Sequence, residues 1–212
     1  MMMRRAASSL RRLWRADDGL AFIEFAFAAP IFVTLVLGGV ELTNLTIAHL
    51  RVSQIAMTVA DNAGRVTSGI DEANVYEVFA GGEVIGEALD FNDNGRIVLS
   101  SLEDNRRTGS RAGQHIRWQR CWGELEIGSR YGRQGDGANN SSLANGMGAA
   151  GNRIAAMKET AVMFVEVTYN YQPIVGTGFF EPPQIRYESA FNVRGRQNNA
   201  LSNTQNLRTL NC

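Results

Sequence analysis

Apolar residues fill positions 20–40 almost without interruption, and the only charged side chain among them is Glu24. As an α-helix this run would be about 31 Å long, which matches the hydrocarbon thickness of a bilayer. A helix this long and apolar on all faces does not fit the interior of a small soluble domain. The pattern therefore predicts a transmembrane helix at residues 20–41. A cleaved signal peptide is the competing interpretation, but its apolar region is shorter and ends at a small-residue cleavage site.

After this run the apolar pattern continues on one side of the chain only. Beyond Glu41, apolar residues recur at alternating spacings of three and four, which is typical of an amphipathic helix. The stripe comprises Leu45, Ala48, Val52, Ile55, Val59 and Val66. Gly64 and the Ser68-Gly69 pair are helix stop signals. Residues 42–68 are therefore predicted to extend the same helix beyond the membrane and to pack on a domain.

Residues 69–212 carry the pattern of a mixed domain. Residues 71–89 predict a second helix, which three glycines weaken. Residues 128–152 are rich in Gly, Asn and Ser and predict a long polar surface loop. Four strand-like runs occupy residues 96–102, 115–122, 161–171 and 184–193. The predicted fold class is α+β, with a long N-terminal helix packed on a small antiparallel sheet.

Charge is distributed unevenly although the chain as a whole is neutral. Residues 1–19 contain five arginines against two aspartates. Because positive charge beside a membrane span favours the cytoplasmic side, residues 1–19 are predicted to be a cytoplasmic basic leader. The domain at residues 69–212 is then extracytoplasmic. The chain lacks the basic stripe of a nucleic-acid-binding protein, and no nucleic-acid partner is expected.

The chain has two cysteines, Cys121 and Cys212. Outside the cytoplasm the redox conditions permit a disulfide between them. Such a bridge would hold the C-terminal residues, which fray when nothing holds them. Closing a loop of about 90 residues stabilises a folded chain by about 2–4 kcal/mol. Two unrelated free thiols are the alternative.

The junction between the leader and the apolar run has a distinctive order of residues. Gly19 ends the leader, the apolar helix begins at Leu20, and Glu24 occupies its fifth position. Glycine leaves the backbone accessible to a protease, and a carboxylate within an apolar helix is costly without a partner. The order resembles the prepilin-peptidase site of type IV pilins, and in particular that of TadE-like proteins of the tight-adherence (Tad/Flp) pilus system. The matching residues are Gly19, Glu24, Phe25, Ala26, Pro30 and the run Gly38, Gly39, Val40 and Glu41.

The resemblance implies a pilin-like fold and the function of a minor pilin, or pseudopilin, that assists assembly of an adhesive pilus. A prepilin peptidase would cleave after Gly19 and leave Leu20 as the new N-terminus. Glu24 would then pair with the amino terminus of a neighbouring subunit and align the two helices. Implied partners are the prepilin peptidase, the major pilin, other minor pilins and the assembly platform of the inner membrane. The protein would cross the inner membrane once, with its domain in the periplasm, and its entry into the surface pilus is left open.

Signals of other chemistry are few. Asp90, Asn92 and Asn94 fit the first half of a calcium loop. However, Ser101 stands where that loop has its bidentate acid, so a turn leading into a strand is the favoured interpretation. The two histidines are far apart in sequence, and the chain has no phosphate-binding or dinucleotide-binding motif. Neither an enzymatic activity nor a cofactor is expected.

The sequence leaves a second function open, a membrane-anchored extracytoplasmic domain that binds or senses a ligand and is never cleaved. Both hypotheses need the apolar anchor, and they differ in whether the bond after Gly19 is cut. An acid that extends to the membrane surface without a partner is the corresponding interpretation of Glu24. The N-terminal residue of the mature protein separates the two hypotheses.

Overall fold

The computed structural model describes residues 18–176, 181–196 and 198–212 of the chain. The predicted leader therefore lies almost entirely outside the described residues. The chain divides into two compact units, Met1–Asn44 and Leu45–Cys212. Helix α1, Asp18–Arg65, contributes to both units, and the second unit holds the remaining helices and all the strands. The predicted α+β class is confirmed.

From Leu45 onward, α1 belongs to the second unit and buries its predicted stripe in the core of that unit. The fully buried stripe residues are Ala48, Val52, Ile55 and Val59. The helix ends at Arg65, shortly before the predicted limit at residue 68. The buried guanidinium of Arg196 donates hydrogen bonds to the carbonyl oxygens of Ala63 (3.4 Å) and Val66 (3.2 Å). These bonds satisfy carbonyl groups that have no partner within the helix.

Helix α2, Glu72–Gly86, follows the two-residue strand β1, Ile70–Asp71. Asp71 is the N-cap residue: its carboxylate accepts from the N–H of Ala73, and its own N–H donates to the side chain of Asn74. This reciprocal capping box explains where the helix begins. A 3-10 turn, Glu87–Leu89, continues α2 to the predicted limit, and a short helix α3, Phe91–Asn94, comes next.

Two of the glycines that weaken α2 allow its close packing. A Cβ at Gly82 would lie 3.1 Å from side-chain atoms of Ile97 and Val59. A Cβ at Gly86 would lie 2.6 Å from the Cβ of Phe91, which is closer than real contacts allow. Glycine at these two positions lowers the helix propensity of α2 but allows α2 to lie close to its neighbours.

Four strands form an antiparallel sheet in the order β3-β2-β4-β5. They are β2, Gly95–Asp104, β3, Gln114–Trp122, β4, Ala161–Asn170, and β5, Gln184–Asn192. Each limit agrees with the predicted run to within two residues. A second, parallel pair joins β1 to β6, Leu201–Ser202. The central strands β2 and β4 are buried, and β3 and β5 form the edges.

Successive residues of β4 point to opposite faces of the sheet. The odd-numbered face packs on the α1 stripe in the main core, through Met163, Val165, Val167 and Tyr169. The even-numbered face, with Val162 and Phe164, belongs to a second apolar cluster. The other buried members of this cluster are Leu102, Ile116, Leu143, Met147 and Ala156.

The predicted polar surface loop contributes to this second cluster, so its description as a surface loop was wrong in part. Leu143 and Met147 belong to this loop, and both side chains are buried. Isolated bridges join Leu143 to Gln114 of β3 and Met147 to Ile154. The side-chain amide of Gln114 also exchanges hydrogen bonds with the backbone of Ala156 (3.3 and 2.8 Å). The composition concealed this packing because the few apolar residues have no regular spacing.

The C-terminal residues are bound to the start and the side of α2. The Asp71 carboxylate accepts the N–H of Thr204 (2.9 Å) and the hydroxyl of Ser202 (2.7 Å). The hydrogen bond from Thr204, followed by that from Ser202, lowers the pKa of Asp71 to about 2. The hydroxyl of Tyr76 donates to the carbonyl oxygen of Arg208 (2.7 Å). The chain therefore remains ordered beyond its last strand.

Candidate functional site, an exposed apolar helix

The part of α1 that belongs to the first unit exposes its apolar side chains. Large hydrophobic residues from Leu20 to Leu42 have relative exposures between 42% and 75%. None of the most apolar 18-residue window of this helix is buried. Because water does not favour an exposed apolar surface of this length, the segment fits a membrane anchor.

Two threonine hydroxyls in this segment are satisfied by the helix itself. The Thr34 hydroxyl donates to the carbonyl oxygen of Pro30 (2.7 Å), and the Thr43 hydroxyl donates to that of Gly39 (2.8 Å). An unsatisfied polar group in hydrocarbon costs several kcal/mol, so these bonds suit an apolar medium. Pro30 lies inside the helix, a position that membrane helices tolerate.

The predicted processing residues lie together at the start of α1. Gly19 is exposed in the first turn, and a Cβ there would meet no atom within 4 Å. Leu20 and Glu24 are both exposed, and their spacing of four residues places them on the same side of the helix. Glu24 is the only carboxylate in the apolar run. Cleavage after Gly19 and the pairing of Glu24 stay predictions.

Comparison with protein-family models matches residues 19–61 to the family described as TadE-like protein. The chain carries a TadE-like domain. The match begins at Gly19, covers less than half of the chain, and includes both the exposed and the buried part of α1 up to Asp61. The resemblance inferred from the junction residues is confirmed for this segment. No curated protein and no solved structure matches the chain.

Outside the TadE-like domain, the two cysteines lie at disulfide distance. The Sγ atoms of Cys121 and Cys212 are 2.13 Å apart, and their Cα atoms are 5.0 Å apart. The N–H of Cys121 also donates to the carbonyl oxygen of Leu210 (2.8 Å). The two cysteines therefore form the predicted disulfide pair, and this pair attaches Cys212 to β3.

Of the residues in the calcium hypothesis, Asp90 directly precedes α3, and Asn92 and Asn94 lie within it. Asp90 precedes this helix in a left-handed conformation (φ 47°). The side-chain amide of Asn94 donates to the carbonyl oxygen of Asp90, and that of Asn92 donates to the carboxylate of Asp93. The turn leads directly into β2, as the favoured interpretation predicts. Among the described residues, no group of three or more His, Cys, Asp or Glu could hold a metal, and calcium binding by the asparagine-rich turn stays the untested alternative.

A buried ion pair between α2 and β3 was missed by the sequence analysis. The Nε atom of Arg120 donates to both carboxylate oxygens of Glu72 (2.8 and 3.1 Å), and its Nη2 atom donates to Oε1 (2.5 Å). Both side chains are buried. The pair orients α2 on the sheet, because removing either partner would leave a buried charge without compensation. Its members are too distant in sequence for any local pattern to indicate the contact.

A second buried acid lies on the even-numbered face of β4. Glu166 accepts the Ser129 hydroxyl (2.5 Å) and the N–H of Arg130 (2.7 Å). Burial raises the pKa of Glu166, and the neighbouring Glu188 acts in the same direction. This carboxylate holds the start of residues 128–156, which we call the irregular segment, against the sheet.

Proposed function

We propose that the protein is a minor pilin-like subunit, or pseudopilin, that assists assembly of a Tad/Flp pilus. The observation that carries the proposal is the TadE-like match, which begins at Gly19, the residue after which the prepilin peptidase would cut. The exposed apolar part of α1 supports the same function, because a subunit that waits in the membrane before assembly needs such an anchor.

The proposed topology has the leader in the cytoplasm and the second unit in the periplasm. Five arginines precede the apolar helix, and such charge is retained on the cytoplasmic side. The pairing of Cys121 with Cys212 supports this topology independently, because disulfides persist in the oxidising periplasm and are rare in the cytoplasm. The protein would cross the inner membrane once.

Cleavage after Gly19 requires the peptidase to hold an extended backbone. Gly19 lies in the first turn of α1, where the N–H groups have no partner within the helix. Glycine is also a poor helix former, so this turn unwinds at little cost. The cut would free the amino group of Leu20.

Glu24 would act after cleavage. An ionised side chain within the apolar part of a membrane helix is costly unless it finds a partner. An ammonium group from Leu20 of a neighbouring subunit would reduce this cost, so the two helices would be most stable when Glu24 of one lies level with Leu20 of the other. This pairing would set the axial stagger between subunits, and the major pilin and other minor pilins are the proposed neighbours.

The proposal is tested by the variant Gly19→Val in a strain with an active prepilin peptidase. The wild-type protein is expected to begin at Leu20, whereas the variant should persist as a precursor heavier by the 19-residue leader. Intact mass and N-terminal sequencing measure the difference. Gly38→Val is the matched control, because Gly38 lies in the same helix and its Cβ position is equally open. This control should be cut like the wild type.

Glu24→Ala separates cleavage from assembly in the same strain. We expect normal cleavage and abundance but reduced piliation, because the variant lacks the carboxylate that would pair with a neighbour. A wild-type protein that still begins at its initiator methionine would contradict the proposed cleavage. The chain would then be the alternative, an uncleaved anchored domain that binds or senses a ligand.

A further inference from the structure

The four-stranded sheet has one covered edge and one open edge. Along β3, outward backbone groups bond to other parts of the chain. Ile116 donates its N–H to Asp136 (3.0 Å) and accepts the N–H of Gly135 (2.8 Å), and Cys121 donates its N–H to Leu210 (2.8 Å). Backbone groups used in this way are not free to pair with another strand.

The register of β5 shows which of its backbone groups face outward. At its two ends, the N–H of Val193 donates to Ala161 (2.9 Å), and the N–H of Tyr171 donates to Pro183 (3.2 Å). In an antiparallel pair these bonds alternate, so odd-numbered residues of β5 bond to β4 and even-numbered residues face away. The outward-facing residues are Gln184, Arg186, Glu188, Ala190 and Asn192. Within the described part of the chain, none of their backbone groups bonds to a segment beyond the sheet.

Two charged side chains on this open edge form no ion pair with another described residue. The guanidinium of Arg186 donates to the side-chain oxygen of Gln184 (2.8 Å) and forms no ion pair. Glu188 accepts a hydrogen bond from the Tyr131 hydroxyl but lies directly opposite Glu166, another acid. Because like charges that face each other destabilise a sheet, Glu188 would gain from a basic residue on its other side.

We propose that β5 is a docking edge for an extended segment of a partner protein, with a basic residue followed two positions later by an acidic one. An antiparallel segment of this kind places its acid opposite Arg186 and its base opposite Glu188. Its backbone groups pair with the outward-facing groups of β5, as in other cases of strand addition. The reverse charge order would place like charges opposite each other at both positions.

A second copy of β5 carries the same charge order as the proposed segment. We assign the edge to a different protein on its charges alone, and pairing of two copies is an outcome that the experiment below distinguishes.

Amide hydrogen exchange of the full-length protein in detergent micelles tests the proposal. The probe is a nine-residue peptide of threonine and valine with a central arginine and, two positions later, a glutamate. It should slow exchange at the N–H groups of Arg186, Glu188 and Ala190 and leave the odd-numbered residues of β5 unchanged. A control peptide with the two charges exchanged should bind about ten-fold more weakly, because both pairs become like charges.

The double variant Arg186→Glu, Glu188→Arg is the matched reversal on the protein side. Both side chains are exposed, so the variant should keep the fold and prefer the control peptide. Binding that ignores charge order, or no slowed exchange with either peptide, would overturn the proposal. Slowed exchange that depends on protein concentration without any peptide would assign the edge to a second copy and overturn the choice of partner. Each of these outcomes is independent of cleavage after Gly19.

Discussion

The two faces of β4 are buried to the same degree by different kinds of structure. On the odd-numbered face, Val165 (0% exposed) packs in the core that contains the regular stripe of α1. On the even-numbered face, Phe164 (1% exposed) packs with Leu143 and Met147 from an irregular segment. An irregular segment can thus close a core as fully as a helix when its backbone groups find partners, as the bridge between Leu143 and Gln114 illustrates.

The largest expected effect tests whether the irregular face is a true core. Phe164→Ala should lower the free energy of unfolding by about 3–5 kcal/mol, because it leaves a cavity and removes an edge-to-face contact with Tyr131. Ile55→Ala, the matched change on the helix-covered face, should cost about 2–5 kcal/mol. Chemical denaturation of both variants in detergent measures the comparison. A cost below about 1 kcal/mol for Phe164→Ala alone would mean that the irregular segment covers the sheet only loosely.

A smaller effect is expected where the irregular segment approaches β3. Gly137 has a positive φ of 80°, and a Cβ there would lie 2.0 Å from the carbonyl oxygen of Gln114. Gly135 has a similar φ of 94°, but its Cβ would meet no atom within 4 Å. Gly137→Ala should therefore cost about 1–3 kcal/mol more than Gly135→Ala, since only Gly137→Ala pushes the segment away from the sheet. Equal unfolding free energies for the two variants would contradict this close approach.

The smallest expected effect concerns pH on the same face. Burial raises the pKa of Glu166 above its ordinary value, so the stability that this group contributes is fully present below about pH 4.5. That contribution is lost as the pH rises through the raised pKa, because the buried carboxyl must then ionise. Glu166→Gln stays neutral, so it should become more stable relative to the wild type as the pH rises from 4 to 7.

Denaturation of both proteins at the two pH values measures this difference, with Glu83→Gln on the exposed side of α2 as the control. A difference between wild type and Glu166→Gln that stays constant with pH would show that the bonds from Ser129 and Arg130 already offset the cost of burial. On β4, no carboxylate lies on the odd-numbered face, so the pH dependence of Glu166→Gln reports on the even-numbered face alone.

Most of the helix and strand limits followed from local patterns. The stripe in α1 and the alternation in β4 repeat at the periods of their elements, so each could be recognised within a short window. The predicted loop at residues 128–152 was misjudged because Leu143 and Met147 follow no period and lie among polar residues. Their burial depends on the face that the sheet offers them, and no local pattern describes that face.

The candidate site was predictable because its parts are adjacent in sequence. Gly19, Leu20 and Glu24 occupy less than two turns of one helix, so their mutual placement follows from helix geometry alone. Two other features depend on strand order. They are the ion pair between Arg120 and Glu72, and the position of β5 at an open edge of the sheet. Strand order is a non-local property, and the four runs were predicted without it.

The sequence by itself determined the exposed apolar helix, its basic flank, the junction at Gly19, and the identity of each main strand. These properties depend on residues within one or two turns or on one strand, where hydrophobicity and local geometry decide. Only the tertiary structure decided which edge of the sheet stays open, which segment buries Phe164, and which acid neutralises Arg120. Those outcomes depend on contacts between residues distant in the chain. Local preferences allow several arrangements of the same helices and strands, and the packing of the core decides which one forms.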